Sequence, residues 1–210
     1  MYKRQVKEIG LQHRMVNAAR NREFRICDLR RAHVLVFPDH FTANEVPANF
    51  ERHLSQFKDK PFAFLQIGVF TGDASVWILK HVLTHPEATL VDVDTWEGSE
   101  EHSDLDFNFV EAEYDIRIKD RRIQKVKTTS DNFFQTNTQM FDFIYIDGDH
   151  TEDQVFRDGA NALGFLKEGG IIAFDDYAHP PIRVAISDIL DIKPMKTLES
   201  TSQQIWFMQD

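Results

Sequence analysis

Strand-like and helix-like stretches alternate along most of this 210-residue chain. The strand-like stretches are short and apolar, whereas the stretches between them have the spaced apolar residues of amphipathic helices. Strands that alternate with helices indicate a parallel, doubly wound α/β sheet. The predicted strands cover residues 62–67, 89–93, 123–128, 141–146 and 170–174, and the predicted helices cover residues 72–83, 107–119, 153–166 and 182–190.

The end of the chain departs from this alternation. Residues 195–198 and 204–208 are both strand-like, and the polar residues 199–202 separate them. Two strand-like pieces joined by a polar turn are typical of a hairpin. We therefore expect the sheet to finish with an antiparallel hairpin.

The beginning of the chain is predicted to be mainly helical. Residues 3–21 read as a helix, and residues 34–38 as a short extended piece. Thr42 and Glu45 have the spacing of a capping box, which predicts a second helix over residues 46–57. The predicted organisation is then an N-terminal helical extension, residues 1–60, followed by one α/β domain, residues 61–210.

The composition excludes several classes of protein. A single cysteine, Cys27, excludes an internal disulfide and any metal site built from several cysteines, and it favours a reducing compartment. No apolar run is long enough to span a bilayer, and residues 1–5 lack the apolar block of a secretory signal. We therefore expect a cytoplasmic protein that is neither exported nor embedded in a membrane.

The charge is negative overall and unevenly distributed. A net charge of −10 argues against a nucleic-acid substrate, because binding to phosphates requires a basic surface. Residues 1–31 are nevertheless rich in Lys and Arg, which is typical of a solvated amphipathic helix that packs on the body or on a second subunit. A basic helix of this kind can also bind an anionic surface. We favour the first interpretation, with a homo-oligomer contact through the N-terminal helices.

Three predicted strands end abruptly in glycine or in carboxylates, within residues 66–72, 145–150 and 171–177. In an open α/β sheet, ligands bind beyond the carboxyl ends of the strands, where the strand order reverses. The turn from Gly68 to Gly72 lacks the three-glycine fingerprint of dinucleotide binding. A nucleoside without phosphates suits this turn better, although a tight strand-to-helix turn is the commonest reason for such glycines.

Further polar residues follow the second and third strands. Asp94 ends the second strand, where an acid can accept both ribose hydroxyls, and Asp92 is the second choice. A carboxylate at this position can also simply cap a turn or a helix. Ser130 and Asp131 follow the third strand, from which a side chain can reach an adenine edge, but the same pair is common at a helix cap.

An acidic cluster is predicted at the ends of the fourth and fifth strands. Asp147 and Asp149 follow one strand, and Asp175 and Asp176 follow the other. Neighbouring strands lie about 4.8 Å apart, so these carboxylates would repel one another unless a cation or shared protons relieve the charge. Oxygen ligands suit Mg²⁺, Mn²⁺ or Ca²⁺. Helix capping remains the alternative role for some of these residues.

Residues 61–177 resemble the class I S-adenosylmethionine-dependent methyltransferases of the small-molecule O-methyltransferase type, which are related to catechol and macrocin O-methyltransferases. The resemblance implies a Rossmann-like, mostly parallel seven-stranded sheet that ends in an antiparallel hairpin. It also implies that the N-terminal helices lie over the active site or in a dimer contact. The most specific segments are Asp94-Thr-Trp-Glu-Gly98, Phe141-Asp-Phe-Ile-Tyr-Ile-Asp-Gly-Asp-His-Thr151 and Leu166-Lys-Glu-Gly-Gly-Ile-Ile-Ala-Phe-Asp-Asp-Tyr177.

The resemblance implies a role for each matching position. The glycine turn would line the methionine part of the cofactor, Asp94 would hold the ribose, and the pair after the third strand would meet the adenine. Asp149 is the preferred base for the substrate hydroxyl, and His150 is the alternative. The implied metal ligands are Asp147, Asp175 and Asp176. The implied cofactor-binding residues are Gln66, Gly68, Phe70, Gly72, Ser75, Asp94, Ser130, Asp131 and Asp147.

Two positions depart from the family pattern, which usually has an acid in place of Gln66 and a serine in place of Ala74, where Ser75 follows one residue later. We expect methyl transfer from S-adenosylmethionine to a hydroxyl of a sugar, a glycosylated metabolite or a catechol-like molecule, assisted by a divalent metal such as Mg²⁺. The alternative is a noncatalytic nucleoside-binding or assembly protein that retains the fold. A nucleic-acid methyltransferase conflicts with the acidic body, and a metal-dependent glycosyltransferase would not explain the glycine turn.

Overall fold

The structure is a computed structural model, and it describes residue 41, residues 45–98 and residues 105–210. The predicted helix over residues 3–21, the extended piece at residues 34–38 and Thr42 of the capping box lie outside the described residues. Within the described residues, none of the helices is long and apolar enough to cross a bilayer.

Seven strands form one mixed sheet in the order β3-β2-β1-β4-β5-β7-β6. The first five strands pair in parallel, and β7 is antiparallel to both β5 and β6. The predicted doubly wound sheet with a terminal antiparallel hairpin is therefore confirmed. The strands are β1 (Ala63–Ile67), β2 (Thr89–Asp94), β3 (Ile123–Lys127), β4 (Phe141–Ile146), β5 (Leu166–Phe174), β6 (Lys196–Ser200) and β7 (Ile205–Met208).

Six α-helices are present in the described part of the chain, and a single 3₁₀ turn, Ser55–Phe57, follows the first of them. Each of the four predicted helices within the α/β domain is found, with ends that differ by a few residues. The helices are α1 (Val46–Leu54), α2 (Asp73–His81), α3 (Phe107–Arg117), α4 (Ser130–Thr136), α5 (Glu152–Leu163) and α6 (Pro180–Ile192).

Two strand boundaries differ from the prediction, and one short helix was not predicted. Strand β5 begins at Leu166, where the sequence predicted the last turn of a helix, because Leu166 pairs with Phe141 before an irregularity in the register. Strand β6 continues to Ser200, so the turn of the hairpin begins later than predicted. The short helix α4 was not predicted, since seven residues are too few to show a helical period.

The central strands β1, β2 and β4 are buried on both faces of the sheet, which is why they read as almost continuous apolar runs. Side chains alternate across β4, so that Ile144 and Ile146 face α4, α5 and α6, whereas Phe143 and Tyr145 face α1 and α2. Phe50 of α1 lies 5.1 Å from the ring of Tyr145 and 6.0 Å from that of Phe143, measured between centroids. Helix α1 therefore packs directly on the sheet.

The strand order reverses between β1 and β4. Strand β1 pairs with β2 on one side and with β4 on the other, and the chain then continues outwards in both directions. A crevice forms at the carboxyl ends of two strands related in this way. The predicted cofactor turn and the predicted acidic cluster both lie at this edge of the sheet.

Candidate functional site

The turn after β1 is held close to the loop after β4. Gly68 has a φ of +79°, and a Cβ atom built on it would lie 1.9 Å from the carbonyl oxygen of Asp147. The Gly68 N–H donates to Val93 O at 2.9 Å, and the Asp147 N–H donates to Ile67 O at 2.8 Å. Only glycine fits between these strand ends, because any side chain would collide with backbone.

The rest of the turn has a left-handed backbone at two more positions. Phe70 has a φ of +54°, which is uncommon for a residue with a side chain, and Gly72 has a φ of +80°. The Gly72 N–H donates to Val69 O at 2.9 Å, and the indole Nε1 of Trp96 donates to Phe70 O at 2.9 Å. These bonds hold the strained conformation, which is a common property of ligand-binding turns.

Asp94 joins the ends of β1 and β2. Its Oδ2 accepts hydrogen bonds from the Val69 N–H at 2.7 Å and the Phe70 N–H at 3.0 Å. Its Oδ1 accepts a hydrogen bond from the Trp96 N–H at 2.7 Å. The carboxylate therefore stabilises the glycine turn directly, and it is partly exposed at the crevice. A carboxylate offers about four acceptor sites, so these three bonds leave room for a ribose hydroxyl. Binding to ribose stays a prediction.

A buried polar cluster lies beneath the same turn. The Gln66 Nε2 donates to Gly68 O at 2.9 Å, and its Oε1 accepts from the Ser75 hydroxyl at 3.1 Å. Asp92, the register partner of Gln66, accepts from the Tyr114 hydroxyl at 2.9 Å. Burial raises the pKa of the Asp92 carboxyl to about 7. Asp92 is completely buried, so Asp94 is the better candidate of the two for a ligand contact.

The predicted adenine residues begin α4. The residue that caps this helix is Thr129, whose hydroxyl accepts from the Asn132 N–H at 3.2 Å. Ser130 accepts from Gln154 Nε2 at 3.1 Å, and Asp131 lies 3.4 Å from the Arg157 guanidinium. Both residues are partly exposed, and their contact with adenine stays a prediction.

Two polar residues of α5 were missed by the sequence analysis. Gln154 Nε2, which donates to Ser130 at the start of α4, also donates to Asp158 Oδ1 within α5 at 2.8 Å, so it connects α4 with α5. Burial raises the pKa of the Asp158 carboxyl to about 6. The sequence signal that could have identified Asp158 is its place on the otherwise apolar face of an amphipathic helix. An acid at such a place is unusual unless it is paired or functional.

The acidic cluster is present at the ends of β4 and β5. Single ligand atoms of Asp147, His150 and Asp176 all lie within 4.8 Å of one another. The His150 Nε2 is 3.1 Å from Asp176 Oδ2. The structure therefore brings two of the three predicted metal ligands together with His150, which the sequence analysis considered only as a base. The sequence signal for His150 as a ligand is its place three residues after Asp147 in a glycine-containing loop.

Asp175 lies beside this group. Its Oδ1 is buried and has no hydrogen-bond partner within the described part of the chain. Burial and then the charge of Asp176 raise the pKa of its carboxyl to about 7, and burial and Asp175 raise the pKa of Asp147 well above its ordinary value. Carboxylates so placed share protons or hold a cation.

A small cavity of about 10 Å³ lies among these groups, which is room for about one water molecule or one cation. Its polar wall is formed by the cluster and its floor by apolar side chains. Oxygen donors with one imidazole and an unpaired buried oxygen fit a hard divalent cation. The lining residues are Ile146, Asp147, Gly148, Asp149, His150, Val155, Phe174, Asp175 and Ile182.

Asp149 lies at the outer edge of the cluster and is exposed. Its Oδ1 accepts from the Thr151 N–H at 2.7 Å, which closes the turn before α5. Its position beside the cluster and its exposure to the crevice suit a proton acceptor. The roles of Asp149 and His150 as bases stay predictions.

Comparison with solved structures finds the same fold in several methyltransferases. The O-methyltransferase NovP superposes with a TM-score of 0.62 at 12% identity, over 78% of this chain and 80% of NovP. The calicheamicin methyltransferase CalS11 has a TM-score of 0.58 at 15% identity, over 96% and 92% of the two chains. The mycinamycin methyltransferase MycE, solved with Mg and S-adenosylhomocysteine, has a TM-score of 0.53 at 14% identity, over 77% of this chain and 49% of MycE.

Comparison of the sequence with curated proteins finds no match. A family model described as a methyltransferase domain matches residues 65–177, which is more than half of the chain. The match covers the glycine turn, the acid that ends β2 and the whole acidic cluster. The chain therefore belongs to the methyltransferase domain family, and it is a class I S-adenosylmethionine-dependent methyltransferase with a Rossmann-like fold.

Proposed function

We propose that this methyltransferase acts on a hydroxyl group of a small molecule, with a divalent cation, most simply Mg²⁺, at the acidic cluster. One observation carries the proposal, namely that the unpaired buried oxygen of Asp175 adjoins the group of Asp147, His150 and Asp176. This group lies beyond β4 and β5, next to the glycine turn, where the cofactor and an acceptor can meet.

The residues at the cofactor end have distinct parts in this proposal. The backbone around Gly68 would face the methionine part of S-adenosylmethionine. Asp94 would accept a ribose hydroxyl at its remaining acceptor site while it holds the turn. Ser130 and Asp131 would meet the adenine. Each of these groups is fixed by hydrogen bonds or an ion pair within the chain, which lowers the entropy cost of aligning the reactants.

The residues at the acidic end would hold the cation and the acceptor. Asp147, His150 and Asp176 would ligate the cation, with Asp175 as a fourth candidate. A bound divalent cation lowers the pKa of a hydroxyl that coordinates it. Asp149 would take the proton of the attacking hydroxyl, since His150 is engaged with Asp176. The methyl group passes from sulfur to oxygen, and the neutral S-adenosylhomocysteine leaves.

A vicinal diol is the acceptor that fits best, because two adjacent hydroxyls chelate one cation. Structures with the same fold support this class: CalS11 is described as a TDP-rhamnose 3'-O-methyltransferase, and MycE was solved with Mg. Sugars, glycosylated metabolites and catechol-like molecules are the proposed acceptors. Nucleic acid is not proposed, since the net charge of −10 opposes binding to phosphates. A cytoplasmic location and an oligomer contact through the N-terminal helices are proposed on the sequence alone.

The first test is calorimetry with S-adenosylhomocysteine, followed by methyl transfer to paired acceptors such as catechol and phenol. We expect binding near 1:1, and activity on the diol that is lost with EDTA and restored by Mg²⁺. Asp176→Asn should lose the Mg²⁺ response, whereas Asp188→Asn, at an exposed acid of α6, should not. A folded protein that binds no S-adenosylhomocysteine would favour the noncatalytic alternative. Full activity in EDTA would refute the role of the cation.

A further inference from the structure

A chain of buried polar side chains lies beneath the acidic cluster. Gln204 is completely buried, and Asn49 and Tyr145 are almost completely buried. They lie among aromatic rings on the α1 side of the sheet, where Phe143 and Trp206 stack with centroids 5.5 Å apart. Burying amides in such an apolar environment costs free energy unless each is hydrogen-bonded.

The orientation of the Gln204 amide is determined by its neighbours. The indole Nε1 of Trp206 donates to Gln204 Oε1 at 3.1 Å, and Asn49 Nδ2 donates to the same oxygen at 3.2 Å. An indole N–H can only donate, so the amide oxygen must face Trp206. The amide NH₂ group therefore faces the other way, and it donates to the Tyr145 hydroxyl at 3.2 Å.

The strand register places Gln204 next to Asp175. Phe174 of β5 is paired with Ile205 of β7, so the next pair along the two antiparallel strands is Asp175 and Gln204. The Gln204 amide and the Tyr145 hydroxyl both interact with the Asp175 carboxyl and favour its ionised form. The buried Oδ1 of Asp175 has no hydrogen-bond partner within the described part of the chain.

We propose that Gln204 is a positioning residue for Asp175: its amide NH₂ group, bonded to the Tyr145 hydroxyl, lies beside the Asp175 carboxyl on the α1 side of the sheet and fixes the orientation in which that carboxyl meets a cation. The inference rests on the divalent cation of the proposed function. Asn49 has a part in it as well, because its bond to Gln204 Oε1 helps to fix the amide orientation. Helix α1, which precedes the sheet in the sequence, thereby contributes to the order of the acidic cluster.

A purely structural role explains this arrangement less well. The surrounding core is aromatic, and a pair of buried amides is commonly no more stabilising than apolar side chains of the same size. Groups that orient metal ligands, in contrast, must be polar, and their loss typically weakens metal binding about 10-fold to 100-fold. The polar chain lies beside Asp175, the carboxylate of the cluster whose buried Oδ1 has no hydrogen-bond partner among the described residues.

The test compares Gln204→Leu and Tyr145→Phe with Gln209→Leu. Gln209 follows the same hairpin, but its amide donates to Leu166 O, away from the cluster. Mn²⁺ affinity is measured by calorimetry and by the electron paramagnetic resonance of bound Mn²⁺, and S-adenosylhomocysteine affinity is measured on the same samples. We expect Mn²⁺ to bind Gln204→Leu about 10-fold to 100-fold more weakly, with a smaller loss in Tyr145→Phe. Cofactor affinity should stay within about twofold, and Gln209→Leu should match the unmodified protein.

Each other outcome overturns a distinct statement. If Gln204→Leu binds Mn²⁺ as tightly as the unmodified protein, the positioning role is wrong. If Gln204→Leu does not fold, Tyr145→Phe provides the test, because it keeps the ring and removes only the hydroxyl. Unchanged Mn²⁺ affinity in Tyr145→Phe overturns the inference. An unmodified protein that binds S-adenosylhomocysteine but no Mn²⁺ overturns both the metal role and this inference, while the cofactor assignment is retained.

Discussion

The two halves of the site are stabilised in different ways. At the ends of β1 and β2, Asp94 accepts three backbone N–H groups, and both ends of the Gln66 amide are bonded within the chain. At the ends of β4 and β5, carboxylates crowd together, their pKa values are raised, and Asp175 has an unpaired oxygen. The cofactor half is thus preformed by hydrogen bonds, whereas the acidic half keeps unfavourable interactions that a cation would relieve.

This contrast predicts that the two halves respond differently to substitution. Removing a polar group from the cofactor half should weaken the fold and cofactor binding together. Removing a charge from the acidic half should stabilise the metal-free protein and weaken cation binding, which is the usual trade of stability for function. Asp92 is an exception to this contrast. It lies in the cofactor half, but its Oδ1 is buried without a hydrogen-bond partner among the described residues.

The largest expected effect is that of Gly68→Ala, at the contact between the halves. The new methyl group would lie 1.9 Å from Asp147 O, so the ends of β1 and β4 must separate. We expect a destabilisation of about 5 kcal/mol or a failure to fold. Gly169→Ala is the control, since Gly169 also has a positive φ, +69°, but a Cβ there has nothing within 4 Å. Urea unfolding should show a cost of about 1 kcal/mol for the control. Equal costs would mean that strain, not the strand contact, matters.

Asp92→Asn should remove a pH dependence from the cofactor half. The folded protein keeps the Asp92 proton up to about pH 7, whereas the unfolded chain releases it near the ordinary value of 3.8. The free energy of unfolding therefore falls by about 4 kcal/mol between about pH 4 and pH 7.

Because an amide does not titrate, the stability of Asp92→Asn relative to the unmodified protein should rise over the same range. Urea unfolding at several pH values measures this difference. For Asp188→Asn, which removes an exposed acid, the difference should stay constant. If the difference in stability is also independent of pH for Asp92→Asn, then ionisation of Asp92 does not destabilise the folded protein.

Asp175→Asn tests the same contrast in the acidic half. Because the pKa of Asp175 is raised from 3.8 to about 7, the metal-free fold loses stability as the pH rises from about 4 to about 7, and the loss is complete above pH 7. We expect the variant to be more stable by about 2 kcal/mol at about pH 8 in EDTA. The stabilisation that Mg²⁺ gives to the unmodified protein should be largely lost, since Mg²⁺ would bind more weakly. Thermal unfolding with EDTA and with Mg²⁺ measures both effects, and a variant less stable than the unmodified protein in EDTA would contradict the contrast.

Asp94→Asn should have the smallest effect of the four. An amide can accept on one side only, so its NH₂ group would face either the N–H of Trp96 or those of Val69 and Phe70. We expect a loss of about 1–2 kcal/mol in stability and about 10-fold in S-adenosylhomocysteine affinity. Calorimetry and urea unfolding measure the two quantities, and Mg²⁺ affinity is expected to change little. A large loss of Mg²⁺ affinity would show that the halves are coupled.

The sequence alone determined the sheet and the carboxyl ends of the strands that form the site. Apolar runs such as residues 141–146 have no solvent-exposed face, so their period and length identify buried parallel strands without any knowledge of their partners. Since ligands of such sheets bind at the carboxyl ends of the strands, Gly68, Asp94 and Asp147 could be placed at one edge. The resemblance to methyltransferases was confirmed by the match over residues 65–177. Short or irregular pieces, such as α4 and the start of β5, were missed because they contain too few residues to show a period.

Only the tertiary structure decided which side chains meet. His150 joins Asp147 and Asp176 because a loop, whose side-chain directions follow no period, turns it inwards. Asp94 accepts hydrogen bonds from a turn that lies at least 24 residues earlier in the sequence, and Asn49 donates to Gln204, which is 155 residues later. Contacts of this kind depend on how strands and helices pack against one another, and the local patterns that specify each element carry no information about them.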